Sequence, residues 1–132
     1  MNIQDIELDD KEIENFFKKF NKDNLDHFDL ILYFSSFNGS IKKIVTRLKS
    51  IKEKVQKDKN IKLSKSRFEQ DIRLLNKKEL ELLIGLLDES EFCASSDERY
   101  SDEAKYLDYL KTKAEIELAK NNHNRQKILA IS

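Results

Sequence analysis

The sequence predicts an all-α fold, a compact single-domain bundle of five to seven helices over residues 1–132, on three observations. Proline is absent and glycine occurs only at Gly39 and Gly85, whereas a β-rich chain of 132 residues needs many tight turns. Charged residues make up 38% and hydrophobic residues 39%, the balance of helices with one apolar stripe and a solvated back. Long runs of Lys, Glu, Leu and Ile pass without a helix breaker. A formal net charge of zero argues against disorder. A chain of this length buries a core that needs neither disulfide nor metal.

The first helix is expected over 10–22. Asp9 with Glu12 forms a capping box, and Ile13, Phe16, Phe17 and Phe20 repeat at the spacing of one buried face. Asn24 is expected to cap a second helix over 25–36, apolar nearly all round from Phe28 to Phe34 and therefore central. Asn38 or Gly39 then takes the left-handed conformation that ends a helix. Ser40 caps the third helix, whose stripe is Ile41, Ile44, Val45, Leu48, Ile51 and Val55, with lysine and arginine opposite. A polar connection over 57–63 leads to a short helix over 64–75 that buries Phe68, Ile72 and Leu75. Asn76 with Glu79 repeats the capping box and opens a helix to about residue 88, followed by a loop over 89–97. The last long helix spans 97–121 on Tyr100, Ala104, Leu107, Leu110, Ala114 and Leu118. An interruption at 121–124 leaves an apolar tail at Ile128, Leu129 and Ile131.

Within this pattern, residues 29–51 read as helix, a Ser-Ser-Phe-Asn-Gly-Ser turn, then Ile41-Lys42-Lys43-Ile44-Val45-Thr46-Arg47-Leu48. The segment resembles the helix hairpin of HEAT-type repeats, although Val45 stands where that family prefers alanine and no second copy follows at a fixed period. The resemblance implies solenoid-like packing and a role in binding other macromolecules.

Signatures of catalysis are missing. The sequence has no glycine-rich phosphate loop, no Gly-x-Ser-x-Gly elbow and no His-Glu-x-x-His. His27, His123 and the single Cys93 lack the spacing of a zinc site. The acidic pairs Asp97-Glu98 and Asp102-Glu103 could hold a cation, yet acidic residues in a first turn are also what the helix dipole favours. The expectation is therefore no enzyme, no metal and no cofactor. A lone cysteine, an acidic start without an apolar leader and no apolar run of membrane-spanning length point to a cytoplasmic protein with no membrane association.

Net neutrality hides a segregation of charge. Residues 1–39 carry 4 basic and 9 acidic side chains, 40–78 carry 14 and 4, and 79–132 carry 7 and 12. Candidate contact residues are Lys42, Lys43, Arg47, Lys49, Lys52, Lys54, Lys62, Lys65 and Arg67, the densest single-sign stretch. Three readings follow. A non-catalytic protein-interaction module (adaptor, inhibitor or immunity type) would use charge complementarity toward a protein partner. Sequence-nonspecific nucleic-acid binding through 42–67 is the alternative, with Ser66, Gln70, Arg73 and Lys77 as groove-facing residues of a loose helix-turn-helix. Or the basic helix packs across the chain's own acidic segments and is neutralised there.

Overall fold

Residues 3–59 and 67–131 are described by the computed structural model, with side chains as far as Asn122. All regular structure among them is helical. The chain enters through a 3-10 turn, Ile3–Asp5, and α1 follows over Asp10–Lys18. Asp9 accepts from the Glu12 N–H at 2.8 Å, and Glu12 reaches back to the Asp9 N–H at 3.3 Å, the box expected from their spacing.

That helix stops four residues earlier than its apolar repeat suggests. Lys59 donates its ammonium protons to the carbonyls of Lys18, at 2.9 Å, and of Phe20, which satisfies oxygens that a longer helix would use internally. A single turn, α2 (Lys22–Leu25), precedes α3 (His27–Ser35). Asn24 is not the cap expected of it. It sits buried within α2, and its Nδ2 donates to Asp71 at 2.7 Å across the bundle.

The α3 sequence is apolar nearly all round, and Phe28, Ile31, Leu32 and Phe34 are buried accordingly. Tyr33 departs from that expectation by facing solvent. The following turn needs no left-handed residue, since neither glycine nor any other described residue has a positive φ. Instead Asn38, in an extended conformation, accepts from the Ser40 N–H at 3.1 Å and opens a 3-10 turn, Gly39–Ile41. α4 (Lys42–Asp58) begins directly from that turn, so Ser40 does not cap it. Its inward stripe is Val45, Leu48 and Val55, with Ile44 and Ile51 half-buried beside them.

After residues 60–66, which lie outside the described structure, α5 (Phe68–Ile72) buries Phe68 and Ile72 as expected. α6 (Lys77–Ser95) starts at the Asn76–Glu79 capping box. It runs seven residues past the expected end at 88, through the segment read as a loop, because Ser90 and Ala94 extend its buried face. A 3-10 turn, Glu98–Tyr100, joins it to α7 (Ser101–Ile131), whose backbone stays helical through the asparagines at 121–124.

α6 packs most extensively against α7 on one side and α3 on the other, while α1 lies along α4. It therefore shares the central position with α3. Phe28 of α3 joins Phe16, Phe17 and Phe20 in a cluster packed edge to face, with centroids 5.0 to 5.6 Å apart. Gly85 lets α6 approach the entry turn: a Cβ there would lie 3.4 Å from that of Ile3. No helix among the described residues is long and apolar enough to cross a membrane.

Candidate functional site

The basic segment divides into exposed and committed members. Lys42, Lys43, Lys49 and Lys54 lie on the solvent face of α4 with Lys57, and none makes an ion pair among the described residues. Arg67 is exposed just before α5. Lys62 and Lys65 lie outside the described residues, as does Ser66 of the suggested helix-turn-helix.

Two further candidates make contacts within the fold. Lys52 is 2% exposed and its ammonium pairs with Asp29, so it is removed from the contact surface, a correction to its sequence assignment. Its position on α4 faces α3, where the long stem is covered and only the charge finds a partner. Arg47 remains open to solvent but holds Asp10 through its Nε at 2.6 Å and the Leu8 carbonyl at 2.9 Å, which ties α4 to the start of α1. Lys59, at the end of the same segment, is spent on α1 carbonyls, and burial lowers its pKa below that of an ordinary lysine.

The most distinctive surface lies where the sequence reading placed a turn and a loop. At the ends of α3 and α6, a cleft of about 660 Å³ is lined by Phe34, Phe37, Phe92 and Tyr100. Phe37 is 61% exposed, Phe92 68% and Tyr33 52%. The rings are ordered against one another: Tyr33 meets Phe37 edge-on at 5.2 Å, and Phe34 meets Tyr100 edge-on at 5.0 Å. The Tyr33 hydroxyl, beside that of Tyr100, is pushed above the usual phenol range.

Polar groups frame the rings. Asn38 donates to Glu89 at 2.7 Å and fixes the turn against α6. Asp97 accepts from the Arg99 guanidinium at 2.7 Å, and that guanidinium lies 5.5 Å from the centre of the Tyr100 ring. Cys93 lines the same cleft, its thiol pKa raised by burial and then by Glu89. Helical continuation of α6 builds this arrangement, because Glu89, Phe92, Cys93 and Ser96 recur at the spacing of one face. The available signal was two phenylalanines, Phe37 and Phe92, in segments that otherwise read as polar connections.

The remaining candidates for chemistry are dispersed. His27 meets the Tyr106 hydroxyl at 3.0 Å and the edge of Phe68, and burial lowers its pKa. Asp97 is held by Arg99, which depresses its pKa, and Asp102 lies exposed in the first turn of α7. Among the described residues no three His, Cys, Asp or Glu side chains gather as a metal-binding group. No protein-family model, curated protein or solved structure matches the chain.

Proposed function

We propose that this chain is a non-catalytic, cytoplasmic protein-interaction module that docks its partner in the Phe37–Phe92 cleft. The observation that carries this reading is the placing of Phe37 and Phe92, each more than half exposed, on the lining of one cleft, with exposed Tyr33 packed edge-on against Phe37. Large aromatic side chains exposed to this extent keep apolar area in water, so a state that covers them is favoured. Aromatic residues and arginine are also the side chains that dominate binding energy at protein interfaces. The resemblance of 29–51 to a HEAT-type hairpin, whose turn contains Phe37, agrees with a binding role.

A photo-crosslinking residue at Phe92, compared with one at Lys49, tests the reading in cells. Discrete protein adducts from position 92 are expected. Their absence, together with nucleic-acid adducts from position 49, would overturn it.

The second reading, nonspecific nucleic-acid binding, draws on Lys42, Lys43, Lys49 and Lys54, which make no ion pair among the described residues, and implies an affinity that falls steeply with salt. Fluorescence anisotropy with short DNA and RNA probes across salt concentrations separates the two. Under this second reading, charge reversals at Lys43 and Lys54 flatten the salt dependence by roughly one unit of slope each.

A further inference from the structure

Resting on the reading of this cleft as the docking site, we infer that its occupant is a basic and apolar segment of a partner protein, carrying arginine or lysine beside a large hydrophobic side chain. Charge decides the first half. Residues 89–100, whose Phe92, Cys93, Ser96, Asp97, Arg99 and Tyr100 line the cleft, carry Glu89, Glu91, Asp97 and Glu98 as acidic side chains and only Arg99 as a basic one. Asp97 lines the cleft and is bonded to Arg99, and Glu89 stands behind the lining residue Asn38, to which it is bonded. An acidic peptide or a nucleic-acid backbone would meet like charge here, whereas a basic segment meets opposite charge.

The rings decide the second half. Four aromatic side chains line the cleft, and their faces attract cations while their bodies take up apolar groups. The site already shows this preference in its own side chain: Arg99 lies over Tyr100 with its guanidinium on Asp97. That guanidinium is largely exposed, and exposed ion pairs hold weakly, so an incoming cation can take its place on the carboxylate and the ring. A cleft of about 660 Å³ admits a few large side chains of a peptide and leaves its backbone outside.

The test uses a synthetic peptide of alternating Leu and Arg with a single tryptophan, and a partner peptide in which Glu replaces every Arg. The protein has no tryptophan, so the emission belongs to the peptide alone. The Arg peptide is expected to bind with a blue shift, and the Glu peptide to bind at least about tenfold more weakly. Phe92→Ala and Asp97→Asn should each weaken the Arg peptide by roughly five- to tenfold. Asparagine at 97 keeps the acceptor that caps the Glu98–Tyr100 turn. Arg99→Gln should tighten it severalfold by freeing the carboxylate and the ring.

Equal binding of the two peptides, or Arg-peptide binding unchanged by Phe92→Ala, overturns the inference. If neither peptide binds while position 92 still crosslinks to protein, the basic-segment inference fails and the docking reading stands. If both fail, both are wrong.

Discussion

The buried carboxylate of Asp71 accepts the Asn21 backbone N–H at 2.8 Å, the Asn21 side chain at 3.1 Å and the Asn24 side chain at 2.7 Å. Asp71→Ala leaves buried donors without that acceptor, and a loss of about 3 kcal/mol in urea unfolding is expected. Lys52 offers a sharper comparison. Lys52→Met keeps the buried stem and should change stability by under about 1 kcal/mol, because it removes charge and desolvation together. Asp29→Ala instead strands the covered ammonium and should cost about 1–3 kcal/mol. His27 sets a pH dependence. Burial lowers its folded pKa, and Asp26 opposes that shift without reversing it. Its contribution is fully present above the unfolded value of about 6.5 and is lost as pH falls toward the lowered folded value. A thermal melt should move down through that window, and His27→Gln should flatten the response. The roles of Asn24 and Asp71 were not legible in sequence. Asn24 has the local look of a helix cap, but its partner lies 47 residues away, a relation that spacing along one helix cannot encode.

Elements were read best where their signals are local. Both expected capping boxes, at Asp9 and Asn76, form because each closes within three residues. The apolar stripe of α4 also follows directly from its period, although its cap does not. Helix ends set by remote groups were misplaced: α1 ends early at the ammonium of Lys59, and α6 ends late because its buried face continues through Ala94. Gly85 in α6 is a further case, a helical glycine that packs on Ile3. A methyl group there would make ordinary contact at 3.4 Å, while the helix would gain intrinsic propensity. Gly85→Ala should therefore stabilise the protein by about 0.5–1 kcal/mol, and Gly85→Leu should destabilise it by displacing Ile3. Chemical denaturation followed by helical circular dichroism distinguishes the two outcomes.

Across the whole molecule, the helical class and the segregation of charge were both visible in the sequence. The aromatic cleft was not. It arises where the α3–α4 turn meets the far end of α6, so its residues come from separated segments whose polar neighbours suggested connections. Of the contact residues inferred from charge, Lys52 is buried against Asp29, while Arg47 stays exposed as it ties α4 to Asp10. A test follows from exposure. Phe92→Ala and Phe37→Ala should alter unfolding free energy by less than about 1 kcal/mol, because each side chain is mostly solvated in the fold. Large losses of stability would mean that these rings are part of the core.

The lysines of α4 and its C-terminal cap also differ in what chemistry can reach them. Lys59 turns its ammonium onto backbone oxygens, and Lys52 keeps its nitrogen against a carboxylate, whereas Lys42, Lys43 and Lys49 meet water. An acylating reagent at low dose should mark the latter three first and spare buried Lys52 until the protein unfolds. Acylation of Lys59 would convert the donor holding the end of α1 into a bulky neutral amide. The same modification that is silent at Lys49 would thus act at Lys59 as a lesion in the fold.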